Sequence, residues 1–452
     1  MTSSAAPPPP ALLGRLPAGP EAPPPVGVAV LGCGTVGAAL VSLLVAHSAV
    51  LAVQSGAPVD VVGIAVADLT RSRPAVVPAS LLTDDAAGLV KRSDVDVVVE
   101  LIGGLDPAGA LIRRALEAGK SVVTANKALL ASPDGIELRT LARRRGVDLL
   151  YEASVAGAIP LVRALRESLT GERIVRVMGI VNGTTNFILS RMADDGVPYD
   201  EALAEAQRLG YAERDPTADV EGHDAAAKAA ILAGVAFGSE AVADDVHCEG
   251  IAGIDVRDIA YARRFGYALK LLAVVERHDG GTLSIRVHPS MVPETHPLAS
   301  VRGADNAVFI EGEAAGRLML SGPGAGGLPT ASAVVGDLID AVRNRGARTT
   351  APAPEREPAR LLAVDELESA FYVRMTVEDR PGVLAAVAGA FGDHGVSIRS
   401  MEQQVPGDAA QLVFTTHRAR EGALRATLGA LESLGAVASI DAAFRIAGEH
   451  EP

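Results

Sequence analysis

A six-residue apolar run, Val26 to Leu31, ends in Gly32-Cys-Gly34-Thr-Val-Gly37 and passes into an apolar stretch that reaches Ala46. Strand, G-x-G-x-x-G and helix in that order call for an open parallel sheet whose first turn receives a dinucleotide. Gly32 permits the tight turn, Gly34 lets the backbone approach a pyrophosphate, and Gly37 lets the helix lie close on the strand. The first helical residues, Thr35 and Val36, present backbone NH groups to the phosphate. The same glycines could form a purely structural turn, but the elements on either side favour the cofactor. Further strands are expected at 59–66, 94–101 and 121–124, with a strand and turn across 147–160. Asp68, after the second of these strands, suits the ribose hydroxyls of NAD, whereas Arg71 or Arg73 could hold the 2′-phosphate of NADP. Asn126 and Lys127 follow a strand at its carboxyl end, where ligands of such sheets bind.

A second constraint lies far downstream. From Ala225 to Phe237 the chain reads AAAKAAILAGVAF, with Lys228 its single polar side chain. A helix apolar all round is a buried helix, and a lysine inside it needs a partner. Asp224 lies four residues earlier on the same face. Taken alone, the pair is a buried structural ion pair. Asp219 and Glu213, in the loop feeding the helix, make it a candidate for acid–base chemistry with a tuned lysine.

Between these landmarks the pattern changes. Strands are expected at 172–181, 267–276 and 283–288, helices at 161–169, 187–194, 199–209 and 255–265, and a hairpin at 307–313 and 317–320. Segregated helices and strands indicate an α+β unit. The expected division is a proline-rich disordered arm (1–25), a Rossmann-type nucleotide-binding domain (26–152, completed by the helix in 328–345) and an α+β substrate and dimerisation domain (153–327). A linker (346–365) and a ferredoxin-like βαββαβ module (366–448) follow. That module carries no catalytic cluster, which suits ligand sensing. The net charge of −14 argues against nucleic acid and anionic membrane. Two cysteines fit a reducing compartment, and no apolar run spans a membrane, so a cytoplasmic protein is expected.

The segments GCGTVG, ELIGG (100–104), ANKAL (125–129), YEASVAGAIP (151–160), GIVNGTTNFIL (179–189), GYAERDPTADVEGHDAAAK (210–228) and GPGAGGLPTA (322–331) resemble homoserine dehydrogenase. DRPGVLA (379–385) and HGVSI (394–398) resemble an ACT domain, as in the long bacterial form of that family. The resemblance implies NAD(P)-dependent interconversion of L-homoserine and L-aspartate 4-semialdehyde, on the route to threonine, methionine and isoleucine. It implies Lys228 as proton donor, Asp219 and Asp224 as orienting acids, Lys127 near nicotinamide and substrate, Glu213 and Gly210 as substrate contacts, and Gly326 as a cofactor contact. It also implies a monovalent cation, usually sodium, at Glu152, Val155, Gly157 and Ile159, held largely by backbone carbonyls. Many members carry an arginine just before the acid that follows the second strand, where this chain has Ala67, which leaves NADP or NAD open with a lean to NADP. L-threonine is the expected effector of the ACT domain, and a homo-oligomer the expected assembly. Two rival readings are aspartate-semialdehyde dehydrogenase, which would need Cys33 or Cys248 as an acylating thiol, and a nucleotide-binding sensor without turnover.

Overall fold

The computed structural model describes residues 23–404 and 409–447. The expected disordered arm therefore lies, up to residue 22, outside the described residues. The first domain is a six-stranded parallel sheet of β1 (Val26–Leu31), β2 (Val59–Ala65), β3 (Leu82–Thr83), β4 (Val97–Glu100), β5 (Ser121–Thr124) and β6 (Leu149–Leu150). They lie in the order β3-β2-β1-β4-β5-β6, the doubly wound arrangement whose strand order reverses beside β1. The apolar runs follow from burial on both faces. Val28 and Val30 of β1 face the helix α1 (Thr35–Ala46) and the returning helix Gly327–Ala347, while Ala29 and Leu31 face a helix at Ala108–Glu117. Each fully buried Val or Leu contributes about 1.5–3 kcal/mol.

The second sheet is mixed and crosses two units. From one edge it runs Gly316–Pro323, Asp305–Gly312, Ile174–Ile180, Tyr267–Arg277 and Leu283–Pro293, then continues through Val437–Ile446, Glu368–Glu378, Ala409–Thr416 and Ile398–Gln404. The last four strands, with helices Val383–Asp393 and Glu421–Glu432, form the βαββαβ module read from sequence. The join consists of two rungs, Ser290 to Arg445 and Met291 to Ile446. Around it, Tyr372, Val413, Phe444 and Ile446 of the module share one apolar core with the lysine-bearing helix His223–Phe237. A buried ion pair reinforces the docking. Arg374 of the module reaches Asp258 of helix Val256–Arg264 through two bonds of 2.6 and 3.0 Å, and the Tyr372 hydroxyl donates to the same acid at 3.1 Å.

Several elements differ from expectation. The helix expected at 187–194 starts earlier, as Gly183–Asp195, because Asn182 caps it by accepting from the Thr185 NH. The expected helix 161–169 is a short turn, Leu161–Arg163, followed by a wider one, Ala164–Ser168. The strand expected to end at 288 extends to Pro293, where it meets the module. The segment 346–365 connects the units but is fastened along its length. Ala351 NH donates to Asp148, Ala359 NH to the Glu240 carbonyl, and Leu362 NH to the Leu283 carbonyl. Among the described residues no single helix is long and apolar enough to cross a membrane.

Candidate active site

The phosphate turn is built as its glycines require. Gly32 sits at φ +99°, and a Cβ there would lie 2.6 Å from the Leu101 carbonyl oxygen. A Cβ on Gly37 would come within 2.3 Å of the Gly32 carbonyl oxygen, whereas the space beside Gly34 is open. That open face, bordered by the first turn of α1 with Thr35 and Val36, fits a pyrophosphate. Gly326 starts the helix Gly327–Ala347, and Gly327 lies against Thr35, so a second helix N-terminus adjoins the turn.

Glu100, at the end of β4 and fully buried, accepts from the Ile102 and Gly103 NH groups at 2.8 and 2.9 Å and from the Thr124 hydroxyl at 2.6 Å. It ties the carboxyl ends of β4 and β5 together. Just beyond β5, Asn126 caps the short helix Lys127–Leu130 and its amide donates to the Gly104 carbonyl. Lys127 is thereby aimed away from its own sheet.

It meets Asp224. The Lys127 ammonium lies 2.5 Å from one Asp224 oxygen, and the Lys228 ammonium 2.7 Å from the other. The helix carrying Lys228 is buried at every residue from Asp224 to Gly234, its small side chains letting it lie flat on the second sheet. Lys228 also donates to the Val181 carbonyl at 2.6 Å. Asn182 completes the arrangement, its amide donating to Asp219 at 2.6 Å and to Asp224 at 2.9 Å. The structure thus brings Lys127, Asp219, Asp224 and Lys228 into one cluster. Gly210 ends the preceding helix Tyr199–Leu209, and Glu213 stands exposed in the loop that follows.

The two lysines are driven apart. Burial weakens the Lys127 ammonium, but Asp224, Asp219 and Glu213 outweigh it and lift its pKa above the ordinary lysine value. Burial dominates at Lys228, and with the Lys127 charge it holds this lysine below that value despite Asp224. Burial opposes ionisation of Asp224, yet the two ammonium groups hold it well below the usual carboxylate range. Burial raises Asp219, against the Asn182 hydrogen bond. Lys127 is 45% exposed and Lys228 10%, so one opens to solvent and the other is held in the interior. Two lysines separated in this way are suited to different tasks.

Other expected residues fall elsewhere. Asp68 is exposed, and its carboxylate accepts from the Thr70 NH and hydroxyl at 2.8 and 2.6 Å. The arginine brought to the phosphate turn is Arg73 rather than Arg71. Arg73 donates to the Asp68 and Arg71 carbonyls at 2.7 and 2.8 Å and lies against Cys33, while Arg71 is exposed. Glu152, Val155, Gly157 and Ile159 lie in a buried turn. The Glu152 carboxylate accepts from the Val162 and Arg163 NH groups at 2.8 and 2.7 Å, so a cation there would rely on backbone carbonyls. Among the described residues no three His, Cys, Asp or Glu side chains gather around a possible metal. Neither cysteine is prepared as a nucleophile. Burial, with Glu249 and Glu221, pushes the Cys248 thiol up to about 11, and burial raises Cys33. Sequence reasoning missed Asn182 and Glu100 as organisers. The only signal for Asn182 was its type just before a helix.

Comparison with known proteins agrees with this arrangement. Models described as homoserine dehydrogenase NAD binding domain, homoserine dehydrogenase, and ACT domain match residues 32–152, 160–339 and 371–436. The homoserine dehydrogenase of Corynebacterium glutamicum is 50% identical over 427 residues, covering 93% of this chain and 95% of its own. That of Mycobacterium tuberculosis is 50% identical over 435 residues, covering 94% and 98%. A crystal structure of the Thiobacillus denitrificans enzyme superposes with a TM-score of 0.89 at 40% identity, over 93% of this chain and 98% of that one. A hyperthermophilic archaeal homoserine dehydrogenase in complex with NADPH gives 0.59 at 31% identity, over 70% and 97%. A nucleotide sheet whose carboxyl edge meets an aspartate held by two lysines, carried on sequence shared along nearly the whole chain, places the protein in the homoserine dehydrogenase family, with an ACT domain at its C-terminus.

Proposed function

We propose that the chain interconverts L-homoserine and L-aspartate 4-semialdehyde with NADP(H) preferred, and that Lys228 moves the proton. The observation that carries this reading is Asp224, one carboxylate gripped by a lysine from each domain. A bound nicotinamide supplies or accepts the hydride. In the reducing direction, negative charge grows on the aldehyde oxygen as the carbonyl carbon is reduced, and an ammonium stabilises it and gives up a proton. Lys228, held below its ordinary pKa, is the better donor. Lys127, held above its ordinary value and open to solvent, keeps its charge and suits the substrate carboxylate. Asp219 and Glu213 suit the substrate ammonium, and Gly210 shapes the loop that carries Glu213. The turn Gly32–Gly37 with Gly326 holds the pyrophosphate, and Asp68 and Arg73 lie on the ribose side. The NADPH complex of the archaeal relative supports the lean to NADP(H).

A monovalent cation, sodium by family habit, fits the carbonyls of Glu152, Val155, Gly157 and Ile159, with Glu152 and Asp337 as buried carboxylates nearby. L-threonine is the proposed effector of the ACT domain, in a homo-oligomer of a cytoplasmic pathway leading to threonine, methionine and isoleucine. Leu384 and Met401, apolar and exposed on that domain, support pairing of copies. The test is homoserine oxidation followed at the nicotinamide absorbance with NADP or NAD, each with and without threonine. Lys228→Ala is expected to lower turnover by about 10²–10⁴-fold at unchanged cofactor affinity. Near-normal turnover in that variant refutes the proton role, and equal rates with the two cofactors refute the preference.

A further inference from the structure

Asn182 bonds both acids of the cluster through one nitrogen. Its Nδ2 donates to Asp219 Oδ1 at 2.6 Å and to Asp224 Oδ2 at 2.9 Å. The other end of the amide settles which way it faces. Oδ1 accepts from the Thr185 NH at 2.9 Å, with the Thr185 hydroxyl at 3.1 Å, as the cap of helix Gly183–Asp195. A backbone NH can only donate, so the cap assigns the oxygen to the helix and both amide hydrogens to the acids. Asn182 and Thr185 are buried, and both ends of the amide are met inside the protein.

The residues on either side fasten this mount to the rest of the site. The Val181 carbonyl accepts from Lys228 at 2.6 Å, and the Thr184 hydroxyl donates to the Tyr211 carbonyl at 2.7 Å, in the loop that carries Glu213. A donor with no proton to lose, set between two carboxylates, fixes their separation and favours the charged form of each. Asp224 has two ammonium groups for the second task. Asp219 is half-buried, and among the described residues Asn182 is its one side-chain donor. Burial favours its neutral form, and the Asn182 bond is the largest cause acting the other way.

We propose that Asn182 is a positioning residue for substrate binding: locked by its helix cap, it keeps Asp219 ionised and aimed at the substrate ammonium. The proposal rests on the reading of Asp219 as a partner of that ammonium. The charged groups facing the amide are Asp219, Asp224 and Lys228, with Lys127 behind Asp224 and Glu213 on the adjoining loop. Two substitutions separate the bridge from the cap. Asn182→Ser retains a capping oxygen and removes the bridge. Asn182→Asp retains shape and cap, and sets an acceptor where the donor stood.

The experiment titrates the complex of the full-length chain with NADPH against L-homoserine, followed by nucleotide fluorescence at pH 6, 7.5 and 9. NADPH affinity, measured first, is expected to be unchanged in both variants. Each is expected to raise the homoserine dissociation constant at least about tenfold at pH 7.5, the loss of one hydrogen bond to a charged group. Relative to wild type, the defect of Asn182→Ser grows as pH falls, because Asp219 without its donor protonates sooner. The defect of Asn182→Asp shrinks as pH falls, because the new carboxyl gains a proton and becomes a donor again. A cap or packing role alone would give two defects with no pH dependence. Wild-type homoserine affinity in either variant, or defects that are flat or move the same way with pH in both, overturns the proposal. Asp219→Asn, titrated alongside, tells two failures apart. Weak binding in it, with wild-type binding in the Asn182 variants, sinks the positioning role alone. Wild-type binding in it sinks the reading of Asp219 as well.

Discussion

Asp224 stands between two cations, and that sharing has a measurable consequence. Lys228→Met removes the ammonium 2.7 Å away but leaves Asp224 with Lys127 at 2.5 Å and Asn182 at 2.9 Å. Its main structural cost is the Val181 carbonyl left without its donor, about 1–3 kcal/mol. Lys127→Ala, at a half-exposed position, costs about 0–1 kcal/mol. Removing both leaves a buried carboxylate with no cation, a situation that costs about 3–5 kcal/mol in other proteins. Protonation sets a ceiling, since holding an ordinary aspartic acid neutral at pH 7 costs about 4 kcal/mol. The double variant is therefore expected to be less stable than the sum of the singles by about 2–4 kcal/mol at pH 7.

The sign with pH is opposite in the two proteins. In wild type the folded Asp224 pKa is depressed, so its contribution is present above the unfolded pKa and fades as pH falls through the folded value. In the double variant the folded pKa is raised, the folded state binds more protons, and stability falls as pH climbs from about 4 to 7, by up to about 1.4 kcal/mol per unit. Urea unfolding of the four proteins at pH 5 and 7 tests this. Additivity within about 0.5 kcal/mol at pH 7, or a single pH slope in all four, refutes the shared-carboxylate argument.

Three further outcomes are expected. Aldehyde reduction loses rate as pH rises through the lowered Lys228 pKa, and homoserine oxidation gains over the same limb; Lys127→Met, by removing a neighbouring positive charge, moves that limb to higher pH in a pH–rate profile. Gly34→Ala folds normally but raises the cofactor dissociation constant at least about tenfold, one lost phosphate contact being worth roughly 1.5 kcal/mol or more, whereas Gly37→Ala destabilises the fold because its Cβ meets the Gly32 carbonyl; fluorescence titration and thermal melting separate the two. Arg374→Met costs about 3–5 kcal/mol by stranding the buried Asp258, and adding Asp258→Leu recovers most of it, read by denaturant midpoint.

Much of this was legible in the chain because the signals are local. The i, i+4 spacing of Asp224 and Lys228 survives any tertiary context that keeps the helix, and the observed pair is that spacing realised. The parallel sheet follows from apolar runs and one glycine turn. What escaped depends on partners distant in sequence. Asn182 reaches Asp219 and Asp224 across about forty residues, and Glu100 braces a strand end through Thr124. Arg71 and Arg73 cannot be ranked by residue type, since the path of an irregular loop decides which one turns toward the phosphate turn. The fastening of 346–365 was hidden because several of its bonds are made by backbone NH groups, at Ala351, Ala359 and Leu362, to which composition is blind. The segment 152–159, proposed for the cation, has the same character, and only the family resemblance pointed to it.

The two-rung join at Ser290 and Met291 makes the ACT domain a cover as well as a module. Without strand Val437–Ile446, Ser290 and Met291 would present open backbone groups beside newly bared apolar side chains from the shared core. A raw edge of that kind is a template for strand pairing between copies. A chain cut before the ACT domain is therefore expected to self-associate, whatever its effector response. Single substitutions within the domain keep the edge closed, and they distinguish a lost effector from a lost cover.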